Sequence, residues 1–235
     1  MQNKSEATGL QDRAASPDAG AQGPATDGAR AVRARGRPRA FDREAALDRA
    51  TRLFWEKGYE ATSISDLCKT MRIGSPSLYA AFGSKEALYA ETLKHYSTSW
   101  SHLVWERFMS APTARDAAAA LLLDSAAALT GEAAEIPRGC MMTLSAVGNE
   151  GHEELGTLVR SGRAATVQRI HERIERAVVE GEVPASLDIR ALARFVQTVQ
   201  NGMSILARDG AGREELEAVA GIAMLGWDAR VGTTD

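Results

Sequence analysis

The side chains best suited to chemistry in this sequence are hydroxyls and one lysine in the run 75–85. Ser75, Ser77 and Tyr79 lie on the outer side of a short helical pattern, and Lys85 follows it. Small polar side chains and a tyrosine let a helix lie close to the base edges and phosphates of DNA. An ordinary helical hairpin without a ligand shows the same pattern, because the pattern is short and degenerate.

Four arginines alternate with small residues just before the first predicted helix, at positions Arg33, Arg35, Arg37 and Arg39. This arm has no apolar side and cannot fold alone. It could lie along DNA, with its arginines on phosphates or in a narrow minor groove. A solvated linker is the alternative, but the position directly before a helical DNA-reading pattern favours contact with DNA.

Three short helices are predicted around the hydroxyl cluster. The first runs from Asp42 to Lys57, the second from Thr62 to about Met71, and the third from Ser75 to Phe82, each capped by its first residue. A tight turn at 72–74 joins the second to the third. Two short helices joined by such a turn and packed on another helix form a helix-turn-helix.

The run from Phe41 to Leu88 resembles the N-terminal DNA-binding domain of the TetR family of bacterial transcriptional regulators. The matching residues are Ala50, Leu53, Phe54, Lys57, Gly58, Tyr59, Ala61, Thr62, Ser63, Ile64, Asp66, Leu67, Ser77, Leu78, Tyr79, Phe82, Gly83, Ser84, Lys85, Glu86 and Leu88. Arg72 stands where the family most often has a glycine, and arginine tolerates positive φ poorly, so a slightly strained or differently shaped turn is expected. Gly74 stands where a Ser or Thr usually caps the third helix, which moves the expected cap to Ser75.

The predicted partner of this unit is double-stranded operator DNA. The residues expected to contact it are Arg35, Arg37, Arg39, Thr62, Ser63, Ser75, Ser77, Tyr79 and Lys85. The charge distribution agrees: the 235-residue chain has a net charge of −3, yet residues 30–94 hold 13 Lys/Arg against 8 Asp/Glu. A basic unit on an acidic body is expected when one end of a protein meets phosphate.

The sequence predicts an all-α fold in which an N-terminal three-helix helix-turn-helix domain (38–88) precedes an α-helical ligand-binding and dimerisation domain (89–235). Residues 1–37 are predicted to be a disordered tail that includes the basic arm. The fourth helix is predicted to continue from Lys85 through Trp100 and Trp105 to about Phe108. Five more helices are expected at about 113–129, 139–147, 153–180, 188–208 and 214–230.

No run is apolar enough for a signal peptide or a membrane span, so a cytoplasmic location is expected.

The last two predicted helices are apolar over more than one face, and Gly202 and Gly221 would permit close approach of another helix. They could pack within one protomer. The TetR resemblance implies instead that they form a homodimer through a four-helix seam. Two DNA-binding units would then read half-sites roughly 34–36 Å apart.

The resemblance also implies a small-molecule effector bound among the middle helices, which releases DNA. Aromatic and methionine side chains suit an apolar cavity that changes shape, although any helical core contains the same residues. The predicted lining comprises Trp100, Leu103, Trp105, Phe108, Met141, Met142, Leu144, Val167, Ile170, His171 and Phe195.

Cys140 offers a different mechanism of response. It follows Arg138 near a predicted helix N-terminus, a setting that makes thiols reactive, so a redox or electrophile sensor is the alternative to a packed residue.

The four histidines are too scattered for a metal site, and no motif of a catalytic nucleophile or a cofactor is present. The sequence therefore predicts a ligand-responsive repressor without catalytic residues, metal or cofactor. An all-helical enzyme, or a helical dimer that signals through protein contacts, is the competing class.

Overall fold

The structure, a computed structural model, describes residues 41–148 and 151–232, and this part of the chain contains ten α-helices and no strand. The predicted all-α class is thereby confirmed. The helices are α1 (Arg43–Lys57), α2 (Ile64–Met71), α3 (Ser75–Phe82), α4 (Lys85–Ser99), α5 (His102–Ser110), α6 (Ala114–Leu129), α7 (Met141–Leu144), α8 (Glu153–Val179), α9 (Ile189–Arg208) and α10 (Arg213–Val231). The predicted tail and the arginines Arg35, Arg37 and Arg39 lie outside the described residues.

Local hydrogen bonds define α1, α2 and α3, which together are called here the helix-turn-helix unit. Asp42 caps α1 as predicted, since its side chain accepts a hydrogen bond from the Ala45 amide. The other two predicted caps are wrong. Ser63 caps α2 in a reciprocal capping box with Asp66, and Gly74 takes the N-cap position of α3 without a side-chain hydrogen bond.

The expected strain in the turn between α2 and α3 is present. Arg72 has φ 61° and ψ 42°, the left-handed conformation in which glycine is usual. The Arg72 amide donates to the Cys68 carbonyl, and so does the next amide, that of Ile73, at 3.1 Å. These two bonds close the last turn of α2. The side chain of Arg72 is exposed.

The prediction of one continuous helix from Lys85 to about Phe108 is wrong, because α4 ends at Ser99 and α5 begins at His102. The hydroxyls of Ser97 and Thr98 donate to backbone carbonyls of the preceding turn. Hydroxyl side chains that bond to these carbonyls destabilise and bend helices. Trp100 is therefore the C-cap of α4, whereas Trp105 belongs to a separate helix.

Two apolar cores hold the helices together. One joins α5, α6, α9, α10 and the C-terminal half of α8. The other contains the apolar side of the helix-turn-helix unit and α4, and it also includes Met141, Val147, Leu155 and Val159 from α7, α8 and the segment between them. The predicted domain boundary at residue 88 thus falls inside a shared core, and the division stays a prediction.

Within the described residues, no helix combines the length and the apolar character that a membrane span requires.

Candidate functional site

The outer surface of α3 presents the side chains that the sequence predicted for DNA contact. Ser75 and Ser77 are exposed, and Tyr79 is 47% exposed, although a large aromatic side chain is usually covered. Leu78 and Phe82 on the opposite side are buried in the core. The surface of α3 is therefore hydroxyl-rich, and no helix of the described part of the chain covers it.

Lys85 lies at the start of α4, next to this surface. Ser84 caps α4 by accepting a hydrogen bond from the Ala87 amide, and the Lys85 amine lies 4.2 Å from the centroid of the Tyr59 ring. Tyr59 is itself fixed, since its hydroxyl donates to Glu86 at 2.9 Å. The aromatic contact thus holds one positive charge beside the third helix.

The two predicted contacts at the start of α2 differ in accessibility. Ser63 is exposed. Thr62 is fully buried, and its hydroxyl donates to the Gly58 carbonyl at 2.6 Å. Its side chain therefore closes the α1–α2 loop and is not available to DNA, which corrects the expectation for this residue.

A cavity of about 250 Å³ opens between the helix-turn-helix unit and the remaining helices. Four predicted residues, Trp100, Leu103, Trp105 and Met142, line it, and Cys140 lines it too. The other lining residues are Trp55, Tyr96, Ser97, Ser101, Val104, Ser125, Ala128, Leu129, Ile136, Gly139, Thr143, Gly162, Arg163, Ala165, Thr166, Arg169, Gln197, Gln200 and Asn201.

The remaining predicted pocket residues do not line this cavity. Phe108, Met141 and Ile170 are buried within the two cores, and Val167 packs against one of them. Leu144 and His171 are half-buried outside the lining. Phe195 is 39% exposed on α9. Apolar periodicity identifies buried residues, but it does not distinguish a core from a cavity wall.

Trp55 is a wall of the cavity that the sequence analysis missed, although it belongs to α1 of the helix-turn-helix unit. The residue is buried, and its indole N–H donates to the Gly139 carbonyl at 2.8 Å. Its ring packs edge-on against Tyr96 at 4.7 Å and Trp100 at 5.6 Å between centroids. Nothing local in the sequence signals this contact, because its partners lie 41 to 84 positions further along the chain.

The segment that receives Trp55 is fixed to α9. Gly139 has φ +78°, and a Cβ at this position would lie 2.4 Å from a Leu144 methyl carbon and 2.9 Å from the Ser204 carbonyl oxygen, so only glycine fits. The Cys140 amide donates to the Ser204 hydroxyl at 2.8 Å. Arg138 donates to the Ala207 and Ala211 carbonyls.

Arg208 at the end of α9 bonds this segment and α1 together. Its guanidinium donates to the carbonyls of Trp55, Glu56 and Arg138, each at 2.9 Å. Burial lowers the pKa of Arg208 from its usual value. Charge-assisted hydrogen bonds to the free carbonyls of a helix C-terminus are favourable, and here they attach α9 to α1.

The thiol of Cys140 faces a single defined donor. The Tyr96 hydroxyl donates to the Cys140 sulfur at 3.2 Å. Burial, followed by the neighbouring sulfur, raises the pKa of Tyr96 well above its usual value, so this hydroxyl stays protonated. Both cysteines of the chain are free thiols.

Helices α8 and α9 supply a polar wall that the sequence analysis also missed. Gln197, Gln200 and Asn201 interrupt the apolar side of α9 at i, i+3 and i+4 spacing, which is the one signal that could have identified them. Arg163 of α8 donates to the carbonyls of Met142, Thr143 and Ser145. Among the described residues, no group of three or more His, Cys, Asp or Glu side chains is placed to hold a metal ion.

A helix-turn-helix with an exposed third helix, attached to an all-helical body that encloses a cavity, defines a DNA-binding transcriptional regulator. Residues 46–92 match the sequence model of the bacterial regulatory proteins of the tetR family. Together with the relatives below, this match shows that the chain belongs to the TetR family.

Similar proteins include full-length regulators. The HTH-type transcriptional repressor ComR of Escherichia coli K12 is 34% identical over 211 residues, which cover 86% of this chain and 97% of ComR. The HTH-type transcriptional regulator YezE of Bacillus subtilis 168 is 28% identical over 77% of this chain and 94% of its own length. A cysteine mutant of the TetR family regulator CifR, in complex with 26-base-pair operator DNA, is 40% identical with a TM-score of 0.76, covering 82% of this chain and 100% of CifR.

Proposed function

We propose that this protein is a homodimeric repressor that binds operator DNA through α3 and leaves it when its cavity is occupied or its thiol modified. The observation that carries the proposal is the position of Trp55, which is part of the helix-turn-helix unit and also a wall of the cavity. Any ligand that displaces the Trp55 ring acts directly on α1.

The exposed hydroxyls of α3 and the charge of Lys85 support DNA binding. The 26-base-pair operator complex of CifR supports it as well. In this proposal Ser63, Ser75, Ser77, Tyr79 and Lys85 contact DNA. The arginine arm, outside the described residues, adds phosphate or minor-groove contacts.

Replacing Lys85 with alanine is expected to weaken binding to specific and unrelated DNA alike, because a phosphate contact carries no sequence information. The slope of log affinity against log salt should become shallower by about 0.9 for each lysine engaged, or nearly two for a dimer. Fluorescence anisotropy at several salt concentrations measures this slope. Lys94→Ala, which removes an exposed charge further along α4, should leave it unchanged. An unaltered slope in Lys85→Ala contradicts the placement.

The outward faces of α9 and α10 support dimerisation. Ile205 of α9 is 51% exposed, and Ile222 and Leu225 of α10 are 71% and 68% exposed, so large apolar side chains of both helices meet solvent in a single protomer. A Cβ at Gly202 or Gly221 would meet nothing within 4 Å. Apolar residues beside such glycines suit a close seam with a second copy of the same helices.

The effector response is tested on labelled DNA from upstream of the chain's own gene. Small apolar compounds, and separately the thiol reagent N-ethylmaleimide, are added to the complex. We expect compounds that quench tryptophan emission to lower operator affinity about 5- to 150-fold, the usual range of allosteric coupling. If neither compounds nor thiol reagent alter operator binding, the proposed switch is refuted.

The thiol sensor is the second candidate, and it is favoured by the access of Cys140 to the cavity and by the Tyr96 hydroxyl on its sulfur. In this case N-ethylmaleimide releases DNA from the wild type and from Cys68→Ser, but not from Cys140→Ser. Release of Cys140→Ser by an apolar compound at the wild-type concentration assigns the response to non-covalent binding instead.

A further inference from the structure

The charges around the cavity are unbalanced. Among the described residues that line it, two arginines, Arg163 and Arg169, are the charged side chains, and there is no Asp, Glu, Lys or His. The sequence extends this imbalance: residues 155–171 of α8 contain Arg160, Arg163 and Arg169 and no acidic residue. This stretch belongs to a body whose total charge is negative, so the positive charge is concentrated on one cavity wall.

The two arginines have different roles. Arg163 is held by three backbone carbonyls, at 3.0, 2.9 and 2.5 Å, and thus fixes the α7 segment. Arg169 lies with its guanidinium carbon 4.6 Å from the centroid of the Trp105 ring. No carboxylate within the described ranges lies within 4.0 Å of Arg169. Arg169 thus packs against an aromatic ring, is otherwise exposed, and has no carboxylate partner among the described residues.

Much of the remaining lining is apolar and aromatic. Trp55, Trp100 and Met142 form part of it. The cavity volume of about 250 Å³ lies below the 300–1,000 Å³ that is usual for drug-sized ligands. A ligand that matches both the arginines and the apolar lining is small, with an apolar body and one negative group.

We infer that the cavity binds a small aromatic carboxylate, whose carboxylate pairs with Arg169 and whose ring lies among Trp55, Trp100 and Met142. The planar guanidinium fork of arginine matches a carboxylate with two parallel hydrogen bonds. A cationic ligand would meet two positive charges with no acidic partner among the described lining residues. The inference rests on the proposed effector cavity and names the class of ligand that enters it.

The test compares three acids with their primary amides, which have nearly the same shape and no charge. Benzoate, salicylate and 1-naphthoate, and then benzamide, salicylamide and 1-naphthamide, are titrated into the full chain while tryptophan emission is recorded. Three of the four tryptophans, Trp55, Trp100 and Trp105, line the cavity. At least one acid should bind about tenfold or more tightly than its amide, and added salt should weaken it.

Arg169→Gln should remove the preference for the acid. Arg160→Gln, the same change on α8 outside the lining, should retain it. Amides that bind as tightly as the acids, or the absence of acid binding up to about 10 mM, overturn the inference. An unchanged preference in Arg169→Gln with a wild-type melting temperature also overturns it.

Operator affinity measured on the same samples separates this inference from the proposed function. If the amides bind preferentially and release DNA, the switch stands and the anionic ligand class is wrong. If the acids bind through Arg169 and DNA affinity does not change, the ligand class stands and the switch is wrong.

Discussion

Leu225→Glu is expected to convert the protein from a dimer into a monomer of about 25 kDa. Leu225 is 68% exposed in the single protomer, so a glutamate there is solvated and leaves the fold intact. In a seam with two-fold symmetry, the same change buries two unpaired charges, each costing several kcal/mol. Sedimentation velocity at several concentrations measures the result.

The loss of the dimer should also reduce operator affinity by about 10²- to 10⁴-fold, because linkage of two DNA-binding units makes the second contact intramolecular. Met109→Glu is the matched control, since Met109 is 63% exposed on α5, away from the proposed seam. It should remain a dimer with unchanged affinity. A dimeric Leu225→Glu with full affinity would place the seam elsewhere, and a monomeric Met109→Glu would show that the effect is not specific to the seam.

Trp55→Ala is expected to lower the free energy of unfolding by about 3–5 kcal/mol, the usual cost of removing a buried tryptophan. The substitution removes the ring contacts with Tyr96 and Trp100 and leaves the Gly139 carbonyl without its donor. At about 2–4 °C per kcal/mol for a chain of this size, the melting temperature should fall by roughly 6–20 °C. Differential scanning calorimetry measures the change.

Trp55→Phe separates signalling from stability. It keeps most of the ring packing and removes the N–H donor to Gly139. Operator affinity without effector should stay within a few-fold of wild type, while the maximal release by a saturating compound should decrease. Trp105→Phe is the control: it alters the same cavity from α5, so it should change the effective concentration of the compound and leave maximal release intact. The reverse pattern would mean that the signal travels through α4 and α5.

The helix-turn-helix unit could be predicted from the sequence because local signals define it. Asp42, Gly58 and Ser84 cap or end helices through bonds within four residues, and the exposed positions of α3 follow from its periodicity. The errors at Thr62 and Ser75 were one-residue displacements, in which a neighbour had the backbone conformation of a cap. The break after α4 was missed because the apolar pattern continues through it, although the Ser97 and Thr98 hydroxyls bond to backbone carbonyls there.

The cavity could be predicted only in part. Its aromatic residues Trp100 and Trp105 have the composition of a pocket wall, but so do the buried core residues Phe108 and Ile170. Contacts such as Trp55 with Gly139, or Arg208 with α1, join positions far apart in the chain and leave no periodic trace. The polar face of Gln197, Gln200 and Asn201 was visible as an interruption of an apolar pattern and could have been used.

The attachment of α1 to α9 through Arg208 limits how this regulator can be re-engineered. A chimera that grafts a foreign DNA-binding unit onto this body at residue 88 would lose Trp55 from the cavity, and it would keep the two carbonyls that Arg208 binds only if its first helix ended at the same place. A foreign first helix that ends elsewhere would leave the part-buried guanidinium with the Arg138 carbonyl alone, and Met141 and Leu155 would face a foreign core. A biosensor built from this chain should therefore keep α1 native and change operator preference by substitutions on the outer face of α3 alone.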